Sequence, residues 1–314
     1  MKKTLLVLAL LLVATTICPA FAEKNHGGSG HKTAHDADAA YAKGDYQTAY
    51  EIWFTLADKG SYAQYSLGRL YANGQGVAQS NRTARDWWQK SMRDIEQSRV
   101  LLSILPEPSD PQYTYATIHE KWQPAAAAGD ADTQYKLAFL YLTGIGVPQN
   151  DTKALVWFEK AANQNHAAAQ YQLGKIHDRS NRVPCAAAQA IQWWEKASAL
   201  GNADAQNILA LRYDMGFHLT PHYPRDECRA IALREQAAAQ GHPEAQTWLA
   251  QTYMYDQPHC NLVANRDKAR ALLEHAIANG GENTRKQAER ILYALEHNGQ
   301  YPNPRNPSQR KGTP

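Results

Sequence analysis

A motif that returns at a nearly fixed interval constrains this chain more than any other feature of its sequence. The motif reads Ala-Gln-Tyr-Ser-Leu-Gly at residues 63–68, and variants of it return four times. Its glutamine stands at Gln64, Gln134, Gln170, Gln206 and Gln246, in steps of 70, 36, 36 and 40 residues, and the first step is two periods long. A period of this length predicts a chain of stacked, similar supersecondary units.

Each unit contains two amphipathic stretches separated by a loop. The loop is rich in glycine in the two clearest copies, at 73–77 and 143–148, and a typical second stretch reads Lys-Ala-Leu-Val-Trp-Phe-Glu-Lys-Ala at 153–161. In both stretches apolar residues recur at i, i+3, i+4 and i+7, which is the period of a helix that buries one face. One helix pair cannot bury that face alone, so neighbouring pairs must stack into a continuous core.

One unit is missing from the clear pattern, but the tryptophans indicate where it lies. Trp122 is 35 residues after Trp87 and 35 residues before Trp157, which matches the spacing of the second helices. Residues 94–128 are therefore predicted to form a degenerate helix pair. Prolines at 106, 108 and 111 interrupt its middle.

These motifs resemble those of the Sel1-like repeat family, a relative of the tetratricopeptide repeats, over residues 37–297. The likeness is most specific at 131–197, where Gln-Tyr-x-Leu, Gly-x-Gly-Val-Pro and Lys-Ala-x-x-Trp-Phe-Glu-Lys-Ala all occur. The resemblance implies an all-α fold, a right-handed α/α superhelical solenoid of about seven helix pairs. It also implies a non-catalytic scaffold or adaptor in the bacterial envelope or medium, which binds another protein on the concave face of the solenoid.

A second function, from another class, stays open at this stage. Some cysteine-rich exported Sel1-like proteins are associated with binding or hydrolysing β-lactam-like or peptidoglycan ligands. Those relatives carry a cysteine pair in nearly every repeat, whereas this chain has four cysteines in all. The small number of cysteines therefore favours the scaffold over the cell-wall-active protein.

Two positions on each first helix are expected to face the concave side of such a solenoid. The first of them follows the position usually held by tyrosine, and the second comes three residues later. Trp248 occupies the first of these positions in its repeat, and partner-binding surfaces favour exposed aromatic and arginine side chains. The residues predicted to contact a partner are Arg69, Lys136, Phe139, Gln172, Lys175, Leu211, Trp248 and Gln251.

The two ends of the chain are predicted to lie outside the solenoid. Residues 1–22 combine two lysines, an apolar stretch and an Ala-Phe-Ala ending, which is typical of a signal peptide cleaved after Ala22. Lipidation at Cys18 is the alternative, but isoleucine precedes that cysteine where lipoprotein signals have a small residue. We therefore expect an exported protein, periplasmic or secreted, with flexible segments at 23–36 and 298–314. No later stretch reaches the roughly 18 to 20 apolar residues that a membrane-spanning helix requires.

Three cysteines remain after the signal peptide is removed, namely Cys185, Cys228 and Cys260. Export would place them in an oxidising compartment, where disulfides persist. Adjacent repeats stack about 10 Å apart, whereas a disulfide needs Cα atoms within about 7 Å. Only loop flexibility would allow a bond, and we predict a disulfide between Cys228 and Cys260 with Cys185 left as a thiol.

A zinc site is the alternative to this disulfide. His218, His222 and His259 come from the same two unusual loops as Cys228 and Cys260. Zinc ligands usually come in pairs separated by about two to four residues, and only His218 and His222 meet that spacing. We therefore predict no metal site.

Charge and motif content bear on the other function classes. The formal net charge of +3 includes five basic residues of the signal peptide and the C-terminal tail, so the body of the chain is close to neutral. A neutral body argues against a nucleic-acid partner, because phosphate binding requires clustered lysine and arginine. The sequence contains no Gly-x-Ser-x-Gly, His-Glu-x-x-His or phosphate-loop motif. We predict no catalytic residue and no cofactor, and the sequence leaves the partner's identity and the oligomeric state open.

Overall fold

The structure is a computed structural model that describes residues 32–105, 114–179, 184–216 and 225–297. In these ranges it consists of α-helices, one short 3-10 helix and connecting loops, with a single isolated β-bridge between Gln257 and Leu262. The helices are α1 Ala34–Ala42, α2 Tyr46–Leu56, α3 Ser61–Asn73, α4 Asn81–Ser91, α5 Glu96–Ile104, α6 Tyr115–Ala127, α7 Ala131–Thr143, α8 Asp151–Ala162, α9 Ala167–Arg179, α10 Pro184–Ala199, α11 Ala203–Met215, α12 Glu227–Ala239, α13 Pro243–Tyr253, the 3-10 helix Pro258–Cys260, α14 Arg266–Asn279 and α15 Glu282–Glu296. None of the described helices combines the length and the apolar character that crossing a membrane would require.

The helices pack in consecutive pairs, which confirms the predicted all-α solenoid of about seven pairs. Six pairs are regular: α1 with α2, α3 with α4, α7 with α8, α9 with α10, α11 with α12 and α13 with α14. The degenerate unit is different, because α5 packs mainly on α4 while α6 packs on α7. The chain ends its described part with α15, which packs on both α13 and α14.

The solenoid begins earlier than predicted. The sequence interpretation assigned residues 23–36 to a flexible segment, but α1 already starts at Ala34. Thr33 and Asp36 explain this start, because the Thr33 hydroxyl accepts from the Asp36 amide while Asp36 Oδ2 accepts from the Thr33 amide at 2.7 Å. This reciprocal capping box satisfies two amides that the first turn would otherwise leave without partners.

The glycine-rich loops are shaped by contact with the preceding repeat. Gly146 has φ 70°, a left-handed conformation that glycine adopts without steric cost. A Cβ atom at Gly146 would lie 2.4 Å from the carbonyl carbon of Tyr115, the first residue of α6. Gly76 makes the same approach to Tyr46 at the start of α2, where a Cβ would lie 2.8 Å from the carbonyl carbon. The second glycine of each loop therefore lets one repeat dock on the backbone of the one before it.

Glycine and tryptophan pair inside the repeats. A Cβ atom at Gly174 would lie 2.2 Å from Nε1 of Trp194, and the same holds for Gly68 and Trp88. Both tryptophans are fully buried. The Trp194 indole N–H donates to the carbonyl of Tyr171 at 3.3 Å. The large ring of the second helix thus lies directly against the backbone of the first helix, which only a residue without a side chain permits.

The repeated glutamine ties each first helix to the second helix before it. Gln134 Nε2 donates to the carbonyl of Ala126 at 3.0 Å, and Gln134 Oε1 accepts from Gln164 Nε2 at 2.8 Å. In the next repeat Leu200 stands where Gln164 stands, three residues before a first helix. Gln170 Oε1 is consequently buried without a hydrogen-bond partner in the described part of the chain.

Candidate functional site

The N-terminal part of α5 lies against helices that are distant in sequence. It carries Glu96 and Arg99, and the turn before it carries Asp94. These three side chains contact first helices of later repeats and the beginning of α3 and α15. We call this contact surface the inner cleft. Its members on the other helices are Ser61, Gln172, Lys175, Asp204, His242 and Glu282.

Glu96 joins α5 to α9. Its Oε1 accepts from Gln172 Nε2 at 2.7 Å, and its Oε2 forms an ion pair with the Lys175 ammonium group. Gln172 is only 4% exposed, and the side chains of Glu96 and Lys175 are each 21% exposed. Two of the residues predicted to contact a partner are therefore already occupied by a side chain of the same protein.

Arg99 joins α5 to the beginning of α11 and α13. Its Nη2 lies 3.1 Å from Asp204 Oδ1, and His242 Nε2 lies 3.2 Å from the same oxygen. His242 Nδ1 accepts from the Ala245 amide at 3.2 Å as the N-cap of α13, so its Nε2 carries the proton that is donated to Asp204. Burial alone would raise the pKa of Asp204, but the hydrogen bond from His242 and the charge of Arg99 hold it below its ordinary value.

Asp94 connects the second helix pair to α15, the last helix of the described chain. Its Oδ2 accepts from the Ser61 hydroxyl at 2.6 Å, and its Oδ1 accepts from the Glu282 amide at 2.5 Å. A Cβ atom at Gly281 would lie 2.3 Å from Asp94 Oδ1 and 2.6 Å from the carbonyl oxygen of Arg93. The superhelix therefore closes on itself at the turn before α5, since α3 and α15 both contact Asp94.

The prediction that Phe139 contacts a partner is wrong. We expected its ring on the concave face, but it is 1% exposed and lies 6.2 Å from the ring of Tyr135. It belongs to the same buried cluster as Leu101 and Leu105. Phe139 is therefore part of the core around α7 and is not available to a partner.

Arg69 and Lys136 are half-buried and interact within the protein. Arg69 Nη2 donates to the Tyr41 hydroxyl at 3.2 Å, and the guanidinium lies 4.8 Å from the centroid of the Tyr41 ring. Lys136 pairs with Asp132, and its ammonium group lies 5.8 Å from the centroid of the Trp122 ring. Both cations therefore pack between neighbouring helices and present little surface to a partner.

The remaining predicted residues lie on α11 and α13. Leu211 and Trp248 are 38% and 37% exposed, and Gln251 is half-buried. Met215, one turn after Leu211, is 51% exposed, and Tyr255, two residues after α13, is 54% exposed. Met215 and Tyr255 were not predicted from the sequence, although each lies one or two helical turns from a predicted residue. We call Leu211, Met215, Trp248 and Tyr255 the α11–α13 patch.

A buried arginine contacts the tryptophan of this patch. Arg234 of α12 is 4% exposed, and its guanidinium lies 5.5 Å from the centroid of the Trp248 ring. The same guanidinium forms an ion pair with Asp214 of α11. Arg234 therefore connects α11 to α13 and holds the indole ring in place.

Cys228 and Cys260 are joined by a disulfide in the structure, with their Cα atoms 5.1 Å apart. The 3-10 helix Pro258–Cys260 makes this possible, because it places Cys260 against α12. His259 lies beside the bond, and its Nε2 is 2.6 Å from Glu227 Oε2. The side chain of Cys185 and the residues His218 and His222 lie outside the described part of the chain.

Comparison with known proteins agrees with this architecture. Sel1 repeats match residues 61–92, 131–166, 167–202, 203–242 and 243–281, each of which corresponds to one regular helix pair. No curated protein matches the chain.

Several solved structures are similar to this chain. One is c5321, a protective antigen of uropathogenic Escherichia coli strains that displays an SLR fold, at 26% identity and a TM-score of 0.50, over 88% of this chain and 58% of that one. The chain therefore spans less than two thirds of the antigen's length. A Sel1 repeat protein from Oxalobacter formigenes is 24% identical over 90% of this chain and 98% of that one, with a TM-score of 0.45. The immunity protein PA5088 from Pseudomonas aeruginosa is 17% identical over 87% and 90%, with a TM-score of 0.28.

The matched repeats cover more than half of the residues and coincide with the helix pairs from α3 to α14, apart from the degenerate unit. The chain belongs to the Sel1 repeat family.

Proposed function

We propose that this protein is an exported, non-catalytic interaction scaffold that binds a protein partner through the α11–α13 patch. The proposal rests on the location of the exposed apolar side chains. In the described part of the chain, the exposed large apolar side chains of the first helices belong to α11 and α13. The predicted binding residues on α3, α7 and α9 are buried or already contact side chains of the protein itself.

The chemistry of the patch is that of a binding surface. Tryptophan, tyrosine and arginine side chains are enriched among the residues that dominate binding energy, and the patch contains Trp248 and Tyr255. The contact with Arg234 restricts the indole ring of Trp248, which lowers the entropy cost of binding. The Sel1 repeat fold is itself commonly used for protein interaction. Export is supported by the signal-peptide pattern of residues 1–22.

The experiment is a quantitative crosslinking pull-down from envelope and culture-medium fractions with three forms of the purified protein. They are the wild type, the patch variant Leu211→Glu/Trp248→Ala, and the control Val156→Glu. Val156 is 44% exposed but lies on α8, outside the patch. Circular dichroism melts establish that all three forms are folded.

We expect one or a few proteins to be enriched equally by the wild type and the control. The patch variant should lose them by about 30-fold or more, since the loss of a hot-spot residue costs about 2 kcal/mol. Equal enrichment by the wild type and the patch variant would place the binding site elsewhere and refute the proposal.

A further inference from the structure

We propose that Cys228, Cys260 and His259 form a zinc site when the disulfide is reduced, so that oxidation of the two thiolates releases the metal. The ligand atoms of these three residues lie within 4.8 Å of one another. Two thiolates and an imidazole are the donor set that zinc prefers. The proposal is independent of partner binding at the α11–α13 patch.

The three ligands come from α12 and the 3-10 helix, which contact each other. Cys228 is the second residue of α12, and His259 and Cys260 are consecutive in the 3-10 helix Pro258–Cys260. The loop around this helix is closed by Gln257, whose amide donates to the Leu262 carbonyl at 2.8 Å. Zinc at about 2.3 Å from each sulfur requires a sulfur separation of about 3.8 Å. Cysteines whose Cα atoms are 5.1 Å apart reach this separation by rotation of their side chains.

Two further features favour the metal over an unliganded dithiol. Cys228 lies at the amino end of α12, where the helix dipole favours the thiolate that zinc requires. Glu227 Oε2 lies 2.6 Å from His259 Nε2, and a carboxylate on the second nitrogen is the usual way in which proteins orient a zinc-bound histidine. With Nε2 held by Glu227, Nδ1 is the nitrogen available to the metal. His259 is exposed, so the fourth position is open to solvent and the metal can enter.

The chemical steps balance with a dithiol reductant. One of its thiolates attacks a sulfur of the disulfide, which breaks the Cys228–Cys260 bond, forms a mixed disulfide and expels the other cysteine as a thiolate. The second thiolate of the reductant then attacks the mixed disulfide, forms the disulfide of the oxidised reductant and expels the second cysteine, so that Cys228 and Cys260 are both reduced. Binding of Zn²⁺ displaces the two thiol protons to solvent. Exchange with a disulfide-containing oxidant reverses these steps, re-forms the Cys228–Cys260 bond and releases Zn²⁺.

The test is a zinc titration of the purified protein against a chromophoric chelator, with Cys185→Ser present throughout so that a third thiol does not contribute. We expect the reduced protein to bind one Zn²⁺ per chain at least 100-fold more tightly than the oxidised protein, a threshold of about 2.7 kcal/mol. His259→Ala should weaken binding by about 10-fold or more, and Glu227→Gln by about 10-fold. Substitution with Co²⁺ should give the absorption bands of a tetrahedral, thiolate-ligated ion in the reduced protein and not in Cys228→Ser/Cys260→Ser.

A second readout keeps the test decisive if reduction destabilises the fold. Zn²⁺ should raise the melting temperature of the reduced protein and leave that of the reduced His259→Ala variant unchanged, since a ligand that binds only the folded state stabilises it. Equal zinc affinity of the reduced and oxidised forms would overturn the proposal. So would a His259→Ala variant that binds zinc as tightly as the parent.

Discussion

Replacing Gly174 with alanine would put a methyl group into the space that the indole ring of Trp194 occupies. The new Cβ would lie 2.2 Å from Nε1 and 2.3 Å from Cδ1 of that ring. Trp194 is fully buried, so the ring cannot move into solvent. Its displacement also lengthens the hydrogen bond from the indole N–H to the Tyr171 carbonyl.

The expected cost follows from three contributions. Overpacking of a buried side chain costs about 1 to 3 kcal/mol, and the weakened hydrogen bond costs about 1 kcal/mol. The higher helix propensity of alanine returns about 1 kcal/mol. We therefore expect Gly174→Ala to lower the free energy of unfolding by about 2 kcal/mol.

A second substitution should relieve this cost. The neighbouring repeat carries Ala138 on α7 and the fully buried Phe158 on α8, with the same spacing as Gly174 and Trp194. The smaller ring therefore accommodates a Cβ atom. Trp194→Phe alone should destabilise by about 1 to 2 kcal/mol through the cavity it leaves. The double variant should lose less free energy of unfolding than the two single variants lose together, by about 1 kcal/mol or more.

The assay is urea unfolding followed by circular dichroism, which does not depend on the fluorescence of the mutated tryptophan. Gly60→Ala is the control, because a Cβ at Gly60 meets no atom within 4 Å and its φ of −163° suits any residue. A Gly174→Ala protein within about 0.5 kcal/mol of the wild type, or strictly additive losses in the double variant, would refute the packing argument.

Three further predictions concern other contacts. Leu200→Gln should raise the free energy of unfolding by about 1 kcal/mol in urea titrations, because the new amide can donate to the buried Gln170 Oε1. A Leu200→Gln protein no more stable than Leu200→Ala would contradict this hydrogen bond. Asn73 joins two loops, because it donates to the Gly144 carbonyl at 2.7 Å and accepts from the Gly146 amide at 2.9 Å. Asn73→Ala should therefore lower the free energy of unfolding by about 1 to 2 kcal/mol, measured by thermal melts. An unchanged melting temperature would show that the bridge is dispensable. The pKa of Asp204 is lowered from its ordinary value of 3.8, so its carboxylate stabilises the fold above that pH. The stability gap between the wild type and Asp204→Asn should therefore be constant near neutral pH and shrink as the pH falls through the ordinary value of 3.8 and below it. A gap that grows on acidification would contradict this role.

The regular repeats were predictable because their determinants are local and periodic. The spacing of Gln134 and Gln170 fixed the register of the helices, and the phase of Trp122 located the degenerate unit between α4 and α7. The cap residues act within one turn; Asn150, for example, accepts from the Lys153 amide at 2.8 Å. Such signals do not depend on where distant parts of the chain lie.

The inner cleft could not be predicted in the same way. Asp94, Glu96 and Arg99 have the composition of an ordinary solvated helix start, and nothing in their spacing indicates partners 76 to 188 residues away. These contacts depend on the curvature that accumulates over successive repeats. Phe139 was misplaced for the same reason, because a rule based on repeat position assumes that every concave position is open.

The superhelix closes at the turn before α5, and α5 contacts the predicted binding residues Gln172 and Lys175 while the α11–α13 patch stays exposed. The most direct test places cysteines at Arg93 and Asn283 in a Cys185→Ser background. Both residues are exposed, and a Cβ at Gly281 would lie 2.6 Å from the Arg93 carbonyl oxygen. Treatment with a short bifunctional maleimide should join the two thiols within one chain, which mass spectrometry detects as a single added crosslinker. A pair with cysteine at Val156 in place of Asn283 is the control and should not be joined. If the Arg93→Cys/Asn283→Cys protein instead carries two separately modified thiols, the solenoid is open and the account of its binding face is wrong.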